Sequence, residues 1–125
     1  MLNRSEAQEI AERISITSRY VRFAGVISGK GRLLAYVRRS GLKPLLGTAK
    51  TRNQFSHLAV HRGMSSQFDR QLGKIKFLWE ERDKVQTISF AVGKSTVWVS
   101  IDRNVVRSEV LRIIDSCMPI VRNYR

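Results

Sequence analysis

Apolar positions recur every three or four residues in three stretches of the chain, which is the spacing of amphipathic helices. The first stretch follows a capping box that begins at Ser5, and it predicts a helix of about four turns. The second predicts a long central helix over residues 51–72, behind a second capping box at Thr51. The third predicts a last helix over residues 104–118, which Pro119 ends or bends.

Between these stretches the pattern changes to short runs of β-branched and aromatic residues, separated by glycine-containing or charged turns. Five such runs are RYVRFAGVIS and RLLAYVRR before the central helix, and KIKFLWEE, VQTISFAV and TVWVSI after it. Their connections are short, except for a Gly- and Pro-containing loop at residues 40–50. The order α-β-β-α-β-β-β-α predicts an α+β fold with a five-stranded antiparallel sheet. The first hairpin has no polar face, so helices are expected on both sides of the sheet.

The chain has 125 residues, no internal repeat and no break in composition, so we expect one domain over residues 1–125. Hydrophobic residues make up 42% of it, which is enough for a core. No apolar run approaches the roughly 20 residues of a membrane helix. The segment from Met1 to Glu12 lacks the apolar stretch of a secretory signal. The single cysteine, Cys117, predicts a buried structural thiol and a reducing, cytoplasmic setting.

The formal net charge is +13, and the excess is concentrated in residues 19–50, which hold eight Lys and Arg and no acid. One strand register would place Tyr20, Arg22, Arg32, Tyr36 and Arg38 on a common face. Arginine and aromatic side chains on a sheet bind single-stranded nucleic acid by phosphate contact and stacking. The alternative is that a helix covers this face and the arginines reach past it to solvent. The predicted nucleic-acid residues are Arg19, Arg22, Arg32, Tyr36, Arg38, Arg39, Lys43 and Lys50.

Three patterns that suggest catalysis or ligand binding are incomplete. Gly93–Thr96 matches the end of a phosphate-binding loop, but Ile88 stands where the first glycine is required and a strand follows, so a hairpin turn is predicted. His57 and His61 have the spacing of zinc ligands, but the general-base glutamate and a third ligand are missing. The acids form no convergent pair. We therefore predict no catalytic residue, no metal and no cofactor, and hence no enzyme.

Several short motifs, together with the element order, resemble the Roadblock dynein light-chain fold, a relative of the profilin-like and longin folds. The matching residues are Arg22–Ile27, Gly31, Lys43–Leu46, Phe68–Gly73, and Lys84-Val85 leading to Ser89-Phe90. The chain is also similar to a family of small uncharacterised archaeal proteins of this type. The match covers nearly the whole chain, and its motifs are structural.

The resemblance implies homodimers formed by the central helix and an edge strand, which serve as scaffolds for small GTPases or motor complexes and have no catalytic residues of their own. It favours a non-enzymatic scaffold or regulatory interaction module with an interface near Leu58, Val60 and Met64. The high positive charge and the basic 40–50 loop depart from that pattern. They leave open a nucleic-acid-binding accessory protein that uses residues 19–50, and a ligand sensor that would need a pocket under the sheet.

Overall fold

The computed structural model describes residues 2–125 and contains one five-stranded antiparallel sheet with helices on both faces. The strands are β1 (Val21–Ile27), β2 (Leu33–Arg38), β3 (Leu78–Glu81), β4 (Val85–Val92) and β5 (Ser95–Asp102). The helices are α1 (Arg4–Ser15), α2 (Thr48–Ser66), α3 (Asp69–Leu72) and α4 (Arg107–Arg122). The spatial order of the strands is β2-β1-β5-β4-β3. The predicted fold class is confirmed, with the four-residue α3 as an additional element.

The main core lies between one face of the sheet and the pair α1 and α4. Alternate residues of β4 and β5 point into it, and the apolar stripes of the two helices cover them. Its fully buried side chains include Ile10, Ile14, Ile88, Phe90, Val97, Val99, Ile101, Val110, Ile113 and Ile114. Cys117 is also buried there, as predicted. Burial of this apolar surface is the principal stabilising contribution to the fold.

A smaller apolar cluster holds α2 on the other face of the sheet. It consists of Phe23, Ile27 and Phe55, with Leu33, Leu58 and Trp98 partly buried around them. Phe55 is the only buried residue among the 19 residues of α2. The helix therefore leaves most of its own surface to solvent.

The predicted helix starts and ends are shifted by several residues. The N-cap of α1 is Asn3, whose side chain accepts a hydrogen bond from the backbone N–H of Glu6. The Glu6 carboxylate in turn accepts one from the backbone N–H of Asn3, so the capping box begins two residues before Ser5. The second predicted capping box, at Thr51, does not exist, because α2 already begins at Thr48 behind Gly47 and has no side-chain cap. The predicted helix over residues 51–72 is interrupted by a turn before α3.

Two further boundaries were wrong because tertiary contacts override the local pattern. Pro119 lies inside α4, and the helix continues to Arg122 since Ile120 and Val121 are buried in the main core. The strand predicted from residue 74 begins only at Leu78. The carbonyl of Lys76 accepts a hydrogen bond from the Arg125 guanidinium instead of joining the sheet.

Candidate functional site

The solvent-facing side of α2 carries exposed residues at spacings of three and four, and none of them is acidic, Lys or Arg. We call this surface the α2 outer face; it comprises Asn53, His57, Val60, Gly63, Met64 and, just after the helix, Gln67. Val60 and Met64 are 61% and 62% exposed at its centre. A helix whose apolar residues point both toward the sheet and away from it has two surfaces to cover. Only one of them is covered within this chain.

The structure separates the three residues predicted to form a dimer interface. Val60 and Met64 lie together on the α2 outer face, whereas Leu58 is partly buried in the small cluster against the sheet. The exposed apolar series continues beyond the helix at Phe68 and Leu72. The spacing of four from Val60 to Leu72 in the sequence contains this signal, although the sequence predicted one uninterrupted helix over residues 51–72.

The edge strand β3 comes near α2 at Leu78. A small crevice beside α2 is lined by His61, Arg62 and Ser65 of the helix, by Leu78 of β3, and by Ile75, which precedes that strand. Leu78 is exposed, and so is the neighbouring Phe77, although both are large apolar residues. The strand has only four residues, and its outer edge presents backbone N–H and C=O groups without a neighbouring strand. The helix face and the strand edge thus form neighbouring unpartnered surfaces.

Two of the arginines predicted to bind nucleic acid are instead held by one carboxylate. Arg39 donates hydrogen bonds from both terminal nitrogens to Asp102, each at 2.9 Å. Arg22 approaches the same carboxylate at 3.6 Å, and its side chain is only 15% exposed. The hydrogen bond from Arg39 is the main reason why the pKa of Asp102 lies below its usual value.

The predicted basic and aromatic residues do not all lie on one face of the sheet. Arg38 lies over the rings of Phe23 and Tyr36, at 5.7 and 5.9 Å from their centroids, on the α2 side of the sheet. Tyr20 packs against the main core on the other side. A register irregularity in β1 between Val21 and Phe23 breaks the simple alternation. The one-face interpretation of Tyr20, Arg22, Arg32, Tyr36 and Arg38 is therefore wrong, while Arg19, Arg32, Lys43 and Lys50 are exposed.

The residues of the candidate catalytic patterns either have structural roles or are exposed on the surface. Gly93 and Lys94 form the two-residue turn between β4 and β5, which confirms the predicted hairpin, and Gly93 has a φ of 59° that favours glycine. His57 and His61 are exposed on α2, and residues 2–125 contain no group of three or more potential metal ligands. Burial raises the pKa of the Cys117 thiol to about 12, so it stays protonated at neutral pH.

No helix within the described part of the chain is long and apolar enough to cross a lipid bilayer.

Replacing Asp102 with Asn is expected to destabilise the fold by about 1–3 kcal/mol at pH 7, since two guanidiniums lose their counter-charge. Folding lowers the pKa of this carboxyl, so its stabilisation is present above the unfolded-state value of about 3.9 and is lost as the pH falls through the folded-state value. The free energies of unfolding of D102N and the parent, measured with urea between pH 7 and pH 2.5, should differ at neutral pH and become more similar at low pH. The exposed Asp115→Asn is the control, and a gap independent of pH would contradict the ion-pair explanation.

No protein-family model matches the sequence. No curated protein is similar enough in sequence to be a recognisable relative.

Solved structures, by contrast, are similar to this chain over nearly its whole length. The Roadblock/LC7 domain from Streptomyces avermitilis is 11% identical, with a TM-score of 0.63, over 94% of this chain and 95% of that one. An MglB with a tetrameric arrangement is 16% identical, with a TM-score of 0.65, over 100% and 96%. Profilin from Schizosaccharomyces pombe is 13% identical, with a TM-score of 0.60, over 94% and 97%. At these identities the likeness concerns the fold alone, and it shows that the chain has the Roadblock-like fold, related to that of profilin.

Proposed function

We propose that this protein is a non-enzymatic interaction module that works as a homodimer, with residues 1–125 forming one Roadblock-like domain. A second copy of the chain occupies the α2 outer face and the adjacent edge of β3. The observation that carries the proposal is that a 19-residue helix buries one side chain within its own chain and exposes Val60 and Met64 on the opposite side. Exposed apolar patches next to an open strand edge are typical of protein–protein interfaces.

The charge distribution favours a second copy as the occupant. Each chain carries a net charge of +13, so two identical copies repel one another wherever their cationic surfaces meet. The α2 outer face is an uncharged strip on this basic molecule. An isologous contact centred on Val60, with Gly63 allowing close approach of the two helices, avoids placing like charges opposite each other.

Interface size requires the strand edge as well as the helix. A 19-residue helix is about 28 Å long and 10 Å wide, so one face of it offers on the order of 300 Å², whereas stable interfaces bury about 800 Å² per partner. The exposed Phe77 and Leu78 extend the apolar surface toward β3. Assembly of an MglB with the same fold in a tetrameric arrangement supports a self-associating surface.

The dimer would present its remaining basic surface, including Arg32, Lys43 and Lys50, to an acidic protein partner. The partner class that the Roadblock resemblance implies is a small GTPase. Nucleic-acid binding through the same residues is the competing hypothesis. It predicts an elevated 260/280 nm absorbance ratio in the purified protein, and RNA binding that weakens steeply with salt.

The homodimer is tested by sedimentation velocity between about 1 and 200 µM. We expect the mass to rise with concentration from that of the 14.4 kDa chain to twice that value. A species that remains at 14.4 kDa over the whole range would refute the homodimer. A concentration-dependent mass that appears only when RNA is present would instead favour the nucleic-acid hypothesis.

A further inference from the structure

An open cavity of about 450 Å³ lies at the end of the sheet where β1 begins and β5 ends. This volume is within the range of about 300–1,000 Å³ that is typical of small-molecule sites. Three cationic side chains line it, and they come from three separate segments: Arg22 from β1, Lys84 from the β3–β4 turn, and Arg103 from the turn after β5. None of the residues that line this cavity belongs to α2, so it is separate from the α2 outer face.

The cations outnumber the acids that could neutralise them. Asp102 is the only carboxylate lining the cavity, and both of its oxygens already accept hydrogen bonds from Arg39. Two acids from the nearby β3–β4 hairpin pair elsewhere, Glu80 with Arg82 and Glu81 with Arg107. Asp83, beside Lys84, is exposed and does not line the cavity. The cavity therefore keeps an excess of positive charge that an anion would neutralise.

Arg22 gives this excess a fixed position. Its side chain is largely buried, yet its approach to Asp102 at 3.6 Å is too long for a hydrogen bond. A guanidinium gains most from a charge-assisted, bidentate contact, and Asp102 makes that contact with Arg39 rather than with Arg22. A phosphate oxygen in the cavity would give Arg22 a closer acceptor in addition to its ion pair with Asp102.

The rest of the lining suits an organic group attached to the anion. Tyr20, Leu45 and Val105 provide an aromatic ring and two aliphatic side chains, while Asn104 adds an amide that donates or accepts hydrogen bonds. We propose that this cavity binds a small organic phosphate, with the phosphoryl group held by Arg22, Lys84 and Arg103 and the organic part against Tyr20 and Val105. The concave shape fits a small molecule rather than an extended polyanion.

Phenyl phosphate is a suitable probe because it joins a dianion to a flat apolar ring. In 150 mM NaCl at pH 7.5, an NMR titration should give saturable shifts of the amide resonances of residues 103–105, with a dissociation constant near or below about 1 mM. Phenol lacks the phosphoryl group and inorganic phosphate lacks the ring, so each should bind at least about 10-fold more weakly than phenyl phosphate.

The variant that tests the site is the double substitution Lys84→Ala and Arg103→Ala, since both side chains are exposed and their loss leaves the core intact. It should weaken phenyl phosphate binding at least about 10-fold. The matched control, Arg70→Ala with Lys94→Ala, removes two exposed cations from elsewhere and should leave binding unchanged. Equal weakening in the control, or no saturation up to 20 mM, would overturn the proposal. A 12-nucleotide RNA that binds and depends on Lys84 and Arg103, while phenyl phosphate does not bind, would assign the cations to a polyanion and also overturn it.

Discussion

Replacing Val60 and Met64 together by glutamate is expected to raise the dissociation constant of the proposed homodimer by at least about 100-fold, which leaves monomer at micromolar concentration. A change of this size corresponds to about 2.8 kcal/mol. The two side chains are 61% and 62% exposed in the isolated chain, so the substitutions remove apolar interface area without opening a cavity in the core. They also bring four carboxylates together near the two-fold axis, where like charges in contact cost several kcal/mol.

Substitution by glutamate distinguishes the loss of interface contacts from an increase in general repulsion between basic chains. Each substitution lowers the positive charge of the chain, so long-range repulsion between copies decreases while the contact itself is lost. Glutamate also has a high helix propensity, so α2 should remain helical. Sedimentation velocity gives the dissociation constant, and far-UV circular dichroism checks the fold.

A matched control is the double substitution Val106→Glu and Leu111→Glu. It also replaces two exposed apolar residues, but at the start of α4 and on its outer surface. This variant should dimerise like the parent. If V60E/M64E still dimerises with the affinity of the parent, the α2 outer face is not the interface. If both variants dissociate, exposed apolar surface in general holds the copies together.

Truncating Phe55 to alanine is expected to release α2 from the sheet at a local cost of about 3–4 kcal/mol. Phe55 is the only buried residue of the helix, and its ring lies 6.5 Å from that of Phe23 and 6.4 Å from that of Trp98. Leu58 is partly buried in the same cluster, and Arg62 adds a hydrogen bond of 3.1 Å to the carbonyl of Gly93. One surface hydrogen bond, worth about 1 kcal/mol, cannot replace the aromatic contacts.

Hydrogen exchange measured by mass spectrometry distinguishes local from global loss. In Phe55→Ala, peptides from α2 should exchange much faster, while those from α1 and α4 keep their protection. Phe90→Ala makes the same chemical change in the main core, where the ring is almost fully buried, and it should lower protection everywhere. Uniform loss of protection in Phe55→Ala would show that α2 and the main core form one cooperative unit, contrary to this expectation.

Local patterns were enough to predict most of the secondary structure and the fold class. The buried apolar residues alternate from Ile88 to Val92 in β4 and from Val97 to Ile101 in β5, and a two-residue turn at Gly93 joins the strands, so their pairing depends on residues close in sequence. The apolar stripes of α1 and α4 have a 3.6-residue period because each helix packs one side against the sheet. Here the local preference and the global fold agree.

The prediction failed where distant residues decide the local structure. Arg39 and Asp102 are 63 residues apart in sequence, and only the pairing of β1 with β5 brings Arg22 and Asp102 to the same end of the sheet. The irregularity in β1 changes which side chains face α2, and strict alternation cannot show it. For the same reason the sequence allows one register that places the basic residues on a single surface, whereas the structure divides them between two.

The amino-acid sequence by itself determined the α+β class, the five strands, the α2 segment with its excess of apolar positions, and the strong positive charge, because period, turn chemistry and charge are local properties of the chain. Only the tertiary structure decided that Val60 and Met64 face outward while Leu58 faces the sheet. It also decided that Arg39 neutralises Asp102, and that Arg22, Lys84 and Arg103 line one cavity. Those outcomes depend on how distant segments pack, since a side chain's partners are set by its position in three dimensions and not by its neighbours along the chain.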